Sequence, residues 1–468
     1  MNPWHLLLAG PEEGQEARLP SSAEALARLP PPVWLPAPAS HLGDGLARAD
    51  DLAAQGWGLV LPRDEDMRAI FQELEPLIAL RERQQGSKVR TYELPPGLDE
   101  RGIHAWCDNA YAHDGTPEHE RPRYLLLVGD LEQLPLSLQQ VLSTHAWVGR
   151  LAFDRTEDYG HYARKVHDWA TRAGTRQAEA LFYSVRDNSE ATRAGHAGLI
   201  EPSHQQLRAL QAKGKAPALA LLHDPNEQGR TRQDFLEATA TARPTVLLTI
   251  SHGRGPPPEG WSSEQHQRAT QGAMRFGFSR MITGEDIQRG PFLPGGFWLY
   301  FACFGAATPA VSQYQPWLEQ LRQEPGMAED ATDLLRTLQG PMPRSFMAAL
   351  PQRALANPEG PLGVIAHVDL TLSSSFQERS PGSTSRASRF YEPINLLVRE
   401  GRVGSTIKSL ALAASSTEHL LANLYTRMKR GQEVPPEELG RVWMLRQDLR
   451  GFVLLGDPAA RLPLAPEL

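Results

Sequence analysis

Cysteine is nearly absent from this sequence: Cys107 and Cys303 are the only two in 468 residues. So sparse a set excludes a disulfide framework and fits a reducing compartment. Long apolar runs are missing as well, and nothing approaches the roughly 18 uninterrupted apolar residues of a membrane span. The opening MNPWHLLLAGP has no basic flank, and its apolar run is too short for a secretion signal. A cytoplasmic protein is therefore expected. Charge of one sign is lacking too: 48 Lys and Arg stand against 55 Asp and Glu, a net charge of −7. That balance offers neither nucleic acid nor an anionic membrane a binding surface.

Several chemical signatures are also missing. No G-x-x-x-x-G-K-[ST] loop occurs, which removes the usual basis for nucleotide hydrolysis. The fifteen histidines are scattered, with no H-E-x-x-H and no C-x-x-C, so no metal site and no cofactor are expected. No G-x-S-x-G elbow occurs, which argues against a serine hydrolase of the esterase kind.

What the chain does contain is alternation of short apolar runs with amphipathic stretches. Apolar content of 41% and charged content of 22% suit a globular protein, and the length suits two to three domains. Residues 1–45 are Pro- and Ala-rich and read as an extended arm. Residues 46–175 read as a first α/β unit, with strands near 56–62, 89–94, 124–130 and 145–154. Residues 176–385 read as a second, with strands near 178–187, 216–224, 245–250, 297–302 and 362–368. Residues 386–468 are helical in pattern and are expected to pack on the second unit. Strand–helix alternation of this kind implies a mostly parallel sheet with right-handed crossovers, an α/β class fold in three layers.

Two of those runs end in reactive side chains. TVLLTISHG (245–253) delivers His252 and Gly253, and FWLYFACFG (297–305) delivers Cys303 and Gly305, with His252 and Cys303 51 positions apart. Both runs are rich in β-branched and aromatic residues without helical periodicity. They read as buried parallel strands that present a side chain at the carboxyl edge of a sheet, where open α/β sheets keep their chemistry. A thiol is an intrinsic nucleophile, and an adjacent imidazole can move its proton at neutral pH. The backbone N–H groups of Gly253 and Cys303 are the candidate oxyanion hole. Asp187 and Glu201 are candidates to orient the imidazole. Cys107 lies in an amphipathic stretch and reads as a small buried residue.

On these residues the sequence resembles the caspase–gingipain superfamily of cysteine peptidases. SHG (251–253) matches the histidine motif and ACFG (302–305) the A-C-x-G nucleophile motif, although Phe301 and Phe304 stand where caspases carry Gln and Arg. The segments YLLLVGD (124–130), VGRLAFD (148–154) and LLGDPAARLP (454–463) are similar to motifs of the gingipain-like branch, family C25. The resemblance implies a caspase-like α/β/α sandwich of two side-by-side subdomains and a Cys303–His252 dyad that cleaves proteins. It places the pocket for the P1 side chain after the first strand of the second unit and after the strand beyond the cysteine. Asp187 and Asp369 occupy those places and would suit a basic P1, while Arg186 argues for an acidic one. Relatives of this kind act in bacterial defence and cell-death pathways. A protein or peptide substrate is therefore expected, with an activating partner or a pore-forming effector as the partner. The rival reading from another class is a protease-like fold that serves as a non-catalytic interaction scaffold. The spans 253–272 and 373–388, rich in Gly, Pro and Ser, are expected to form loops beside the cleft.

Overall fold

Apolar residues that fill both faces of a strand force it into the middle of a sheet, covered on each side by helices. Five of the runs singled out above do this: every residue of Trp57–Pro62, Tyr124–Val128, Thr245–Ile250, Phe297–Phe301 and Gly363–His367 is buried. The computed structural model describes the chain apart from residues 1–3, 10–15, 20, 32–46, 65–66, 176, 186, 188, 217, 224–231, 242, 258–259, 277–279, 339–343, 377–385, 400 and 466–468. Most of the Pro-rich arm, Arg186 and much of the 373–388 stretch thus lie outside the described residues.

The two α/β units share one ten-stranded sheet. Its order in space is Arg90–Leu94, Trp57–Pro62, Tyr124–Val128, Trp147–Leu151, Phe452–Gly456, Gly363–His367, Phe297–Phe301, Thr245–Ile250, Ala178–Ser184 and Ala218–His223. All neighbours are parallel except Gly363–His367 against Phe452–Gly456. The two halves therefore point their carboxyl edges to opposite ends of the molecule. The last strand, which the sequence pattern leaves as the tail of a helical segment, is the seam between them. It pairs antiparallel with Gly363–His367 and joins Trp147–Leu151 through Leu455 and Arg150.

Asp457, directly after that seam, fastens the first half to it. Its Oδ1 accepts from Trp57 Nε1 at 2.9 Å, and its Oδ2 accepts from Arg81 Nε at 2.9 Å and from Arg81 Nη2. The Asp457 N–H donates to Tyr162 Oη at 2.7 Å. All these groups are buried, so each polar atom needs its partner.

Three long helices, Thr156–Thr171, Lys408–Lys429 and Pro436–Gly451, cover the sheet. The arm is docked where it is described. The helix Ala23–Ala27 lies against Pro436–Gly451 at Gly440, where a Cβ would come within 2.2 Å of Leu26 Cδ1. The strand Trp4–Ala9 goes further, into the carboxyl edge of the second half. Cys107 packs in a separate small core with Val60, Ile103 and Leu125, and burial pushes its thiol up to about 12. Among the described residues no helix is long and apolar enough to cross a membrane.

Candidate active site

Strand order puts the chemistry where it is. From Ala178–Ser184 the chain steps outward to Ala218–His223, then returns across it to Thr245–Ile250. The crevice outside the carboxyl ends of the two strands flanking that reversal is the natural binding place of an open α/β sheet. Asp187 follows one of those strands and His252 the other. The next strand in, Phe297–Phe301, adds Cys303. Ile250 pairs with Phe301 in parallel register, which is an offset of 51 residues. The spacing between His252 and Cys303 is thus the register of the strand pair itself, and each reactive residue lies two positions past its pair.

The cysteine sits on a sharp turn. Phe304 takes φ 57°, a left-handed conformation that is strained for a bulky residue. The turn is held by Phe304 N–H donating to the Asp369 carbonyl at 2.9 Å and Ala306 N–H to the His367 carbonyl at 2.8 Å. Gly253 is required by close approach: a Cβ there would lie 1.9 Å from the Cys303 carbonyl oxygen. With no Cβ in the way, the Gly253 and Cys303 N–H groups converge on one point. Both donate to the Leu7 carbonyl oxygen, at 2.9 and 3.0 Å.

The imidazole is held from the far side. His252 Nε2 lies 2.8 Å from Ser189 Oγ and 3.3 Å from Asp187 Oδ2. Hydrogen counting assigns the tautomer. The Thr192 hydroxyl donates to Asp187 Oδ1 at 2.7 Å, so its single hydrogen is used. The Ser189 hydroxyl, 2.8 Å from Thr192 Oγ1, can then donate to Thr192 and accept from His252, and the carboxylate oxygen Asp187 Oδ2 beside Nε2 calls for a hydrogen on that nitrogen. His252 therefore carries its proton on Nε2 and its lone pair on Nδ1. Ser189 also caps the helix Glu190–Gly195 through Thr192 N–H, which fixes its hydroxyl in place.

The thiol is satisfied by backbone. Thr371 N–H donates to Cys303 Sγ at 3.2 Å, and Sγ faces the Thr371 carbonyl at 3.6 Å. Burial pushes the thiol well above its usual range, while the Thr371 N–H pulls the other way. Cys303 and His252 are 0% and 1% exposed. The 371–375 segment hangs in turn on Asp448, which accepts from Thr371 Oγ1 at 2.9 Å, Leu372 N–H at 2.8 Å and Ser375 Oγ.

Burial raises the carboxyl of Asp448, as it does that of Asp369. A raised native value means the folded chain holds the proton longer than the unfolded one. Stability from this group is complete below about 4 and declines as pH rises through the native value. Asp448→Asn has no such loss. Its melting temperature relative to the parent is expected to rise with pH across the mildly acidic range, as thermal melts at stepped pH would show. A flat difference would refute the assignment.

Of the candidate residues, the structure gathers His252, Cys303, Gly253 and Asp187 at one edge. Asp187 faces the imidazole. Asp369 is completely buried behind the cysteine turn, accepting from Ser312 Oγ at 2.9 and 3.0 Å and from Gln313 and Leu370 N–H, both at 2.7 Å. Glu201 is an exposed first residue of the helix Glu201–Ala212. Ser189, Thr192, Thr371 and Asp448 were not singled out from sequence. Only the S-E-A-T cap at 189–192 could have signalled any of them. The 253–272 span carries the helix Glu264–Thr270 and is tied down by Tyr300 Oη donating to the Gly272 carbonyl at 2.9 Å.

No protein-family model matches the chain, and no curated protein matches it. Among solved structures it is similar to the Arg-specific cysteine proteinase gingipain R, with a TM-score of 0.49 and 13% identity over 88% of this chain and 80% of that one. It is also similar to a structure described as a protease, with a TM-score of 0.47 and 10% identity over 87% and 78%.

Proposed function

We propose that the chain is a cysteine endopeptidase with His252 and Cys303 as its dyad. The observation that carries this is the convergence of two backbone N–H groups, Gly253 and Cys303, on one peptide carbonyl oxygen beside a thiol. Donors aimed at a single carbonyl oxygen suit the oxyanion of a tetrahedral intermediate. In the reaction, Cys303 gives its proton to His252 Nδ1 and Sγ bonds to the carbonyl carbon. The imidazolium then protonates the leaving amine as the C–N bond breaks, and water hydrolyses the thioester. Asp187 and Ser189 act as positioning residues that hold the Nε2 proton.

A basic P1 residue would need a carboxylate with spare acceptor capacity. Asp187 is engaged with His252, Ser189 and Thr192, and Asp369 with Ser312, Gln313 and Leu370. Neither supports that preference. A cytoplasmic role in bacterial defence or cell death, with a pore-forming or signalling protein as substrate, rests on the motif resemblance. The scaffold reading has one observation in its favour, the burial of both dyad residues.

A peptide-library cleavage profile, run on the parent and on Cys303→Ala, tests the proposal. Cleavage that vanishes in the variant is expected; no Cys303-dependent cleavage by the full chain or by a chain lacking residues 1–9 would refute it. Gly253→Ala brings a Cβ against the Cys303 carbonyl and parts the two donors. A drop in kcat on the order of 10²–10³-fold is expected, with near-parent kcat as the contrary result.

A further inference from the structure

The cleft is already filled by the chain's own strand Trp4–Ala9, running between the histidine loop and the segment after Gly363–His367. Leu7 N–H donates to the Thr371 carbonyl at 3.1 Å, and Ala9 N–H to the Gly253 carbonyl at 3.2 Å. Leu6 bridges Leu372 in antiparallel fashion, and Leu8 bridges Gly253 in parallel. His5 Nε2 stands 3.4 Å from Glu190 Oε2, and its carbonyl accepts from Ser373 Oγ at 3.5 Å. The side chains of Leu6, Leu7 and Leu8 are completely or almost completely buried. The strand is also paired antiparallel with Glu16–Leu19, so it is held in place from outside the cleft.

An added strand that bonds through its backbone on both sides is how sheet edges and cleft walls receive extended peptides. The Leu7 carbonyl is the informative atom. It takes both N–H donors of the candidate oxyanion hole, the place of the carbonyl under attack. Leu7 thus stands where the residue preceding a scissile bond would stand, with residues 4–6 on one side of it and Leu8 and Ala9 on the other. Meanwhile the thiol is bonded to the backbone of Thr371, the same residue whose carbonyl accepts from Leu7.

We propose that the strand Trp4–Ala9 is a substrate mimic held in cis: it marks the cleft as a site for an extended peptide with an apolar residue, leucine here, supplying the attacked carbonyl, and it shuts Cys303 off until displaced. The substrate clause rests on the peptidase reading, while the closure does not. Opening is a shift between a strand-in and a strand-out state, and any partner that binds the freed strand or the freed cleft moves it.

The rate of Cys303 alkylation by iodoacetamide tests the closure, with Cys107 as internal reference and peptide mapping as readout. The full chain is compared with a chain lacking residues 1–9 and with Leu7→Pro, which removes the N–H to Thr371 and keeps the length. At least a ten-fold faster modification of Cys303 alone is expected in both, reversed by adding the hexapeptide WHLLLA. Equal rates in all three overturn the closure. If Cys107 also becomes reactive in the shortened chain, that chain has loosened, and Leu7→Pro with the added hexapeptide decides. The same opened chains are given peptides differing only at P1. Faster cleavage after Leu than after Lys or Glu is expected, and a preference for Lys or Glu overturns the substrate clause. Faster alkylation with no cleavage of any peptide overturns the peptidase reading and leaves the closure standing.

Discussion

Asp187→Asn is expected to lower kcat by on the order of 10²–10⁴-fold while KM stays near the parent value. The argument is one of hydrogen placement. Oδ1 of Asp187 accepts from Ser189 N–H at 3.1 Å and from Thr192 Oγ1 at 2.7 Å, and Oδ2 faces His252 Nε2. An amide must turn its oxygen to the Ser189 N–H, which can only donate. Its NH₂ then faces Nε2 and demands a lone pair there. The imidazole answers by moving its proton to Nδ1, and the nitrogen needed as base is no longer one. The fold has little reason to change, because the amide is isosteric and keeps both of the bonds that Oδ1 accepts. Measuring kcat and KM separately, with thermal melts alongside, distinguishes this from simple destabilisation. An unchanged kcat would show that His252 does not depend on Asp187.

The largest stability effect is expected at Asp457. Asp457→Ala leaves the Arg81 guanidinium, itself 1% exposed, without its carboxylate and strips Trp57 Nε1 and Ala459 N–H of their acceptor. Breaking a buried pair by removing one partner typically costs about 3–5 kcal/mol. The loss falls at the seam, so it is felt by the whole sheet rather than by one half. Denaturant unfolding would read it directly, and a loss below about 1 kcal/mol, the range of exposed pairs, would refute the account. The double replacement Arg81→Met with Asp457→Leu is expected to recover much of the loss, since paired apolar residues remove both desolvation penalties.

Several features were legible without coordinates for a physical reason. Strands such as Thr245–Ile250 and Phe297–Phe301 are short, rich in β-branched, aromatic and leucine residues, and free of charge, which suits a buried strand of a parallel sheet. His252 and Cys303 stood out because each follows such a strand. Their shared offset is the pairing register, which explains why a spacing in sequence could report a meeting in space. Asp187 was visible as an acid at a strand end, but its neighbour in space was not. The same residue suits a pocket wall or an imidazole partner, and only the position of Ser189 and Thr192 distinguishes them.

Thus the sequence by itself determined the α/β alternation and the strand ends that carry the thiol and the imidazole. Those follow from local periodicity and residue type. Tertiary structure alone decided that the two halves form one sheet closed by Phe452–Gly456, because pairing partners far apart in the chain leave no local trace. It decided the tautomer of His252, which depends on a count of hydrogens across three side chains. It also decided that WHLLLA (4–9), bland as a sequence, lays the Leu7 carbonyl between Gly253 and Cys303. Backbone groups make that contact, and backbone groups are the same in every sequence.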